Sequence, residues 1–303
     1  MLEAGYSGTK GTHLERVIDE NYSPPGPGAV NAKRPYQTVA VPNTAITAAL
    51  GPIYGYHFNG NTDYNALTLR LEKRFSQGLT LLGSYTFSKA IGDVCGASAA
   101  GDTPNCGYQD PRNLRNERSI DNIDVPQRLV LSGVYQLPFG KGRRFASRMS
   151  RPLNAIAGGW SIGNIITVAS GMPFSVISAG NPANTGTFST VNRPNVVGDP
   201  YAGTRTVDQD FNIAAFANNA QYTIGNAGRN ILRQRGFFNW DFSANKEFAI
   251  QERLKLQFRF ESFHFTNTPR FGAPGATLGT ATFGKITSAD TPRNQQLGLK
   301  LIW

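Results

Sequence analysis

The chain has 303 residues, a net charge of +10, 33 glycines and 18 prolines. No stretch approaches the roughly 18 uninterrupted apolar residues of a transmembrane helix, which excludes helical spans but not strands that cross a bilayer. The positive charges are dispersed and no nucleic-acid-binding signature accompanies them, so we expect no nucleic-acid partner.

Eight segments are predicted as β-strands, because apolar and polar residues alternate along them with a period of two. In chain order they are 1–7 (the tail of a strand), 63–75, 79–88, 127–137, 158–170, 237–248, 254–261 and 294–303. The clearest is 254–261, where Leu256, Phe258 and Phe260 share one face. Gly78 suits the tight hairpin turn expected between the second and third strands.

The predicted connections alternate in length along the chain. Short ones are expected at 76–78, 138–157 and 249–251, and long ones at 8–62, 89–126, 171–236 and 267–293. Outer-membrane barrels combine short periplasmic turns with long extracellular loops. The pattern therefore predicts an all-β, antiparallel transmembrane barrel segment of about eight strands. A soluble β-sandwich also has alternating strands, but it does not account for the one-sided loop lengths.

Aromatic residues of the predicted strands sort into two levels when the long connections are placed outside the cell. Near the periplasmic boundary we expect Phe75, Tyr135, Trp160, Phe248 and Trp303, and near the extracellular boundary Phe87 and Phe238. Such girdles are typical of a barrel wall that faces lipid, so outer-membrane lipid is an expected partner.

Several segments, in the same order along the chain, resemble the Oar-like branch of TonB-dependent receptors. They are DYNAL at 63–67, LEKRFSQGL at 71–79, SYTFSK at 84–89, QRLVLSGVY at 127–135, LPFG at 137–140, GGW at 158–160 and SGMPF at 170–174. The resemblance covers nearly all of the chain. It implies a Gram-negative outer-membrane barrel of about 22 strands, of which residues 1–303 form a single C-terminal portion.

The last eight residues, QLGLKLIW, are similar to the β-signal that is read by the barrel assembly machinery. Gln296 supplies the polar position, Gly298 the glycine, Leu301 the hydrophobic position and Trp303 the terminal aromatic residue. A free edge strand can pair with an edge of the machinery by β-augmentation. An amphipathic strand that ends this way by chance is the alternative.

In residues 1–303 we recognise no plug domain, TonB box or carboxypeptidase-regulatory-like domain, which departs from the family, and no signal peptide, so we expect this sequence to be a C-terminal portion of a longer receptor. Outer-membrane localisation therefore requires an export signal, and TonB is expected to act only through the missing N-terminal parts. An unknown extracellular ligand is expected for the intact receptor. The alternatives are a structural or adhesive barrel without transport, and a non-functional remnant.

No catalytic, cofactor or metal site is predicted, and we do not expect an enzyme. No nucleophile and base stand at a triad-like spacing, and no glycine-rich phosphate loop follows a strand and opens a helix. The carboxylates of Glu117, Asp121 and Asp124 are expected in a solvated loop rather than in a calcium or acid–base site.

Cys95 and Cys106 lie in a loop-like segment rich in glycine, alanine, aspartate and asparagine, which fits a local disulfide in an oxidising compartment. Two free thiols are the alternative. A zinc site is disfavoured because the three histidines are scattered and no CxxC pair exists.

A basic cluster occupies the 138–157 connection. It contains Lys141, Arg143, Arg144, Arg148 and Arg151. If this connection lies on the periplasmic side, the five cations would meet anionic lipid headgroups, whereas a solvated turn is the alternative.

Overall fold

The computed structural model describes residues 1–45, 47–94, 107–186, 191–251 and 254–303. Within these residues, eight long strands form one antiparallel sheet in which each lies beside its neighbours in the sequence. They are β1 (Leu2–Asp19), β2 (Tyr54–Ser76), β3 (Leu79–Gly92), β4 (Gln127–Gln136), β5 (Trp160–Ala169), β6 (Phe237–Ala249), β7 (Lys255–Phe263) and β8 (Asn294–Ile302). The predicted all-β, antiparallel class is confirmed.

Smaller elements occupy the connections. A two-residue strand, Ser119–Ile120, pairs with the last two residues of β3, beyond the point where β4 begins. Short strand pairs join Thr38–Ala40 to Thr47–Ala49, Pro173–Phe174 to Leu232–Arg233, Ile177–Ser178 to Thr277–Leu278, and Asn195–Val196 to Phe216–Ala217. Single helical turns lie at Asn31–Lys33, Leu114–Glu117 and Ile213–Ala215, and one α-helix, α1, at Arg151–Ala157. Within the described ranges, no helix has the length and hydropathy to cross a membrane.

The strand register places the predicted apolar residues of successive strands on one face of the sheet. Leu69 lies opposite Tyr85, Tyr85 opposite Leu129, Leu129 opposite Val168, and Val168 opposite Phe238. Because side chains alternate between faces, a slip of one residue in any pair would interrupt this row. We call this side the apolar face and the opposite side the polar face.

The two edges of the sheet are β1 and β8, and among the described residues they do not pair with each other. The described residues therefore do not close a barrel, and the expectation of about 22 strands stays a prediction. On β8 the side chains of Leu297 and Leu299 are 73% and 72% exposed. An exposed apolar edge of this kind favours pairing with further strands.

The first two strands are much longer than predicted, and the predicted long connection at 8–62 was wrong in its bounds. β1 continues to Asp19 and β2 begins at Tyr54, so the connection comprises residues 20–53. The ladder continues past the apolar region, with Lys10 opposite Asp63 and Val17 opposite Tyr56. Glycine, threonine and charged residues dominate 8–16, which obscured the alternation there. The remaining predicted strands overlap β3 to β8, with bounds that differ by at most four residues.

The short connections lie at the end of the sheet opposite to the long ones. Gln77 and Gly78 turn the hairpin between β2 and β3 with positive φ values of 52° and 82°. A side chain at Gly78 would meet the carbonyl oxygen of Gln136 at 2.9 Å, so both the backbone angle and the space favour glycine there. Residues 137–159, which include α1, connect β4 to β5, and residues 250–254 connect β6 to β7.

A pair of arginine substitutions on adjacent residues of β4 tests which face meets lipid. Leu131→Arg places a charge on the apolar face, and we expect it to lower the free energy of unfolding in a bilayer by about 2–4 kcal/mol. Ser132→Arg, on the polar face, should change it by about 0.5 kcal/mol or less. Urea unfolding of vesicle-embedded protein measures both. Equal losses would contradict the assignment of the faces.

Candidate functional site

The four long connections fold together at one end of the sheet. We use the name cap for their described residues, which are 20–45, 47–53, 93–94, 107–126, 170–186, 191–236 and 264–293. The ammonium of Lys33 donates to the carbonyl of Asn184 at 2.5 Å, which joins the first connection to the third. The backbone N–H of Asp210 donates to the carbonyl of Gly284 at 2.7 Å, which joins the third to the fourth. The cap is therefore a folded unit rather than a set of separate loops.

A hydrophobic cluster lies inside the cap. Its buried members are Val176, Phe211, Ala215, Phe216, Leu232 and Phe283. The ring of Phe211 meets those of Phe283 and Phe216 edge-on, with centroids 5.2 and 5.8 Å apart. Edge-to-face aromatic pairs contribute about 0.5–1.5 kcal/mol beyond the area that they bury. The third and fourth connections thus share a small core of their own.

A buried ion pair joins the second connection to the third. The carboxylate of Glu117 accepts two hydrogen bonds from the guanidinium of Arg193, both at 2.9 Å, and the two side chains are 1% and 3% exposed. Glu117 also accepts from the backbone N–H of Gln109 at 3.0 Å. A buried pair is tolerated only when such extra hydrogen bonds satisfy its remaining atoms. This pair therefore fixes one relative position of the two connections.

Arg229 ties the cap to the end of β3. Its guanidinium donates to the carbonyls of Gly92 at 2.7 Å, Val94 at 2.6 Å and, through Nε, Glu117 at 3.2 Å. Burial lowers the pKa of this guanidinium below its usual value, while the nearby carboxylate of Glu117 opposes the shift. Because its donors reach three carbonyls of β3 and the second connection, Arg229 holds the cap in register with the wall.

The sequence-based expectation that Glu117, Asp121 and Asp124 lie in a solvated loop was wrong. All three carboxylates are buried. Asp124 pairs with Arg233 and accepts from the backbone N–H of Ala90 at 2.6 Å. Their partners come from distant parts of the chain, which local sequence does not reveal. Among the described residues, no cluster of three or more ligating side chains is suited to a metal ion.

Sequence reasoning also missed the arginine partners of these carboxylates. One feature of the sequence could have indicated buried ion pairs: residues 193–235 contain five arginines and no lysine. Two of them, Arg205 and Arg235, both contact the buried carboxylate of Asp210 at 2.5 Å. Arginine suits buried pairs because its planar fork of donors matches a carboxylate and is weakly hydrated.

A depression of about 520 Å³ lies below the cap, in the middle of the sheet. Its lining comes mainly from the polar face and includes Leu82, Ser132, Val134, Ile165, Asp241 and Glu261. The carboxylate of Asp241 accepts from the backbone N–H of His264 at 3.0 Å, which fixes its position at the rim. The size lies within the range of small-molecule pockets. The cap and this depression form the candidate functional site.

Most residues of the predicted aromatic girdles occupy the apolar face. Phe87 lies opposite Leu67, Tyr135 opposite Leu79, Trp160 opposite Lys246, Phe238 opposite Val168, and Phe248 opposite Leu256. Phe75 lies where the register shifts near the end of β2, and Trp303 follows β8 almost fully exposed. Contact of these rings with a membrane boundary stays a prediction.

The predicted β-signal residues lie on or just beyond the edge strand β8. Gln296 is opposite Glu261 and Gly298 opposite Arg259, on the polar face. Leu301 is opposite Leu256, on the apolar face, and Trp303 follows the end of the strand. Recognition by the assembly machinery stays a prediction. Cys95 and Cys106 lie outside the described residues, so the disulfide between them also stays a prediction.

Comparison with known proteins gives one family match. The model of a protein family described as an outer membrane beta barrel domain matches residues 1–296. The match includes β1 to β7 and the first residues of β8. No curated protein matches the chain.

Neutralising Glu117 tests the role of the buried ion pair. Glu117→Gln leaves the guanidinium of Arg193 buried without a counter-charge, so we expect the cap to lose about 3–5 kcal/mol of stability. Asp290→Asn is the matched control, because it neutralises the exposed pair with Arg270 (3.4 Å) and should cost about 1 kcal/mol or less. Native-state hydrogen exchange of cap amides measures both. Similar protection in the two variants would contradict the assigned role.

Proposed function

Because this chain belongs to the outer membrane beta barrel domain family, we propose that it forms part of the wall of a TonB-dependent receptor of the Oar-like type. The protein lies in the outer membrane. The observation that carries the proposal is the asymmetry of the sheet, whose long connections fold into a cap with a buried core while the opposite end has short connections. A preformed cap of this kind supports a role in binding at the cell surface.

In this proposal the wall continues beyond the two edge strands. A bilayer contains no water to satisfy the free N–H and carbonyl groups of β1 and β8, so open edges are excluded from its interior. Further strands on both sides, to a total of about 22, would satisfy these groups and surround a lumen lined by the polar face. The barrel assembly machinery is the proposed partner of the β8 edge during insertion.

The cap and the polar face would act in sequence on an extracellular ligand. The ligand first meets the cap, whose buried ion pairs hold one arrangement of the connections. It then passes the depression on the polar face, where Leu82, Val134 and Ile165 offer apolar contacts and Asp241 and Glu261 offer carboxylates. Energy from TonB would enter through parts that adjoin this barrel portion. We propose no catalytic role for the chain and no cofactor.

A structural or adhesive barrel is the alternative function, because a rigid cap would also suit stable surface contacts. A non-functional remnant is the other alternative. Coupling to TonB distinguishes the receptor from both.

Crosslinking in the native host tests this coupling. We expect the receptor that contains this chain to copurify with TonB after in-cell crosslinking, and the yield to fall when TonB is depleted. A matched sample of an unrelated porin at equal abundance serves as the control. If the protein folds in the outer membrane and gives no TonB adduct above that control, the transport proposal is withdrawn in favour of a structural barrel.

The orientation is tested by thiol labelling in a background where Cys95 and Cys106 are replaced by serine. Gln221→Cys introduces a thiol in the exposed part of the cap, and Ser147→Cys introduces one at the opposite end. A membrane-impermeant maleimide should label the first variant on intact cells, and the second only after the outer membrane is opened. The reverse result would invert the proposed orientation.

A further inference from the structure

The connection between β4 and β5 folds against the apolar side of the wall. Lys246 lies opposite Trp160, on the apolar face near the end of β6. Its ammonium donates to the carbonyl of Ile156 at 3.1 Å and also to the carbonyl of Gly158. These carbonyls belong to the last turn of α1 and the residue that follows it. The end of α1 therefore covers the lipid-facing side of the sheet, at the end opposite to the cap.

The buried ammonium of Lys246 has no anionic partner among the described residues. The residue is 2% exposed, and its nitrogen lies 5.1 Å from the ring centroids of both Trp160 and Phe248. The neighbouring carboxylate of Glu247 pairs instead with Lys255, at 3.7 Å. Burial of a charged group is unfavourable unless it is paired. Carbonyl oxygens and aromatic rings offset only part of this charge.

A pocket of about 330 Å³ lies beside this ammonium. Three cationic residues line it, namely Lys141, Arg151 and Lys246, together with Glu247. The side-chain oxygen of Asn154 accepts from the backbone N–H of Lys141 at 2.7 Å, which holds that residue against α1. Neither Lys141 nor Arg151 forms an ion pair with a described residue. The pocket therefore carries an excess of positive charge.

The connection that carries Lys141 and Arg151 also carries exposed apolar side chains. The rings of Phe139 and Phe145 contact each other, with centroids 5.6 Å apart, and both are nearly half exposed. On α1, Leu153 and Ile156 are exposed. Residues 138–157 contain no aspartate or glutamate. Basic elements with exposed apolar side chains bind where lipid headgroups meet acyl chains.

We propose that this pocket binds the phosphate headgroup of an anionic phospholipid in the membrane leaflet at the short-connection end. Lys141 and Arg151 contact the phosphate, the charge of Lys246 lies beneath it, and Phe139, Phe145, Leu153 and Ile156 contact the acyl region. The sequence placed five cations of this connection at a lipid surface. Only two of them, Lys141 and Arg151, line the pocket, because Arg143, Arg144 and Arg148 lie outside it. The site depends on membrane insertion but not on transport, so it remains if the receptor proposal fails.

Native mass spectrometry of the full chain in detergent micelles tests the site, with phosphatidylglycerol titrated against phosphatidylcholine. We expect phosphatidylglycerol to bind preferentially, and the double variant Lys141→Gln/Arg151→Gln to weaken its binding about tenfold or more. The variant Arg143→Gln/Arg148→Gln removes the same charge outside the pocket. At about 0.15 M salt, where exposed charges are screened, it should weaken binding about threefold or less.

A charge-preserving variant distinguishes a phosphate pocket from a diffuse basic surface. The affinity of the Lys141→Arg/Arg151→Lys variant for phosphatidylglycerol should lie within about threefold of the wild-type affinity. Equal losses in the two neutralised variants would indicate a diffuse basic surface and overturn the proposal. Equal binding of phosphatidylcholine would overturn it as well. Displacement of phosphatidylglycerol by an equal concentration of inorganic phosphate would show a free-phosphate site and would also overturn it.

Discussion

The structure depends on one constraint, which is that every backbone N–H and carbonyl group of a membrane wall must be paired within the wall. Hydrocarbon offers no hydrogen bonds, so each strand must pair along its length with its neighbours. Pairing alone would permit several registers. The observed register, with Leu69, Tyr85 and Leu129 in one row across three strands, also puts the apolar side chains on one face. Backbone pairing and apolar burial therefore select the same arrangement.

The cap depends on this wall for its position. The connections that comprise the described residues of 20–53, 93–126, 170–236 and 264–293 all leave the antiparallel sheet at the same end, so they can pack against one another. Their apolar cluster is small, and buried arginine–carboxylate pairs such as Glu117–Arg193 join one connection to another. Arg229 and Asp124 bond directly to backbone groups of β3 and of the residues that follow it. The cap is in this way fixed to the wall.

The sequence alone predicted those parts of the structure that depend on the local alternation of apolar and polar residues. Alternation along 254–261 and 127–137 predicted the strands, their faces and the asymmetry of the connections, because one side of each strand meets an apolar environment. The sequence alone did not predict contacts between residues that are far apart along the chain. Glu117 and Arg193 are 76 positions apart, and only the folded cap brings them together. Lys246, a cation on an apolar face, is explained only by the carbonyls and rings that surround it.

The central claim is that the apolar face of this sheet meets lipid wherever the end of α1 does not cover it. A nitroxide scan of β4 tests it directly, with spin labels placed one at a time at residues 128–134 of the protein in a bilayer. The account predicts collisions with oxygen that peak at 129, 131 and 133, and collisions with a water-soluble nickel reagent that peak at 128, 130, 132 and 134. Absence of this period-two alternation, or its opposite phase, would contradict the account.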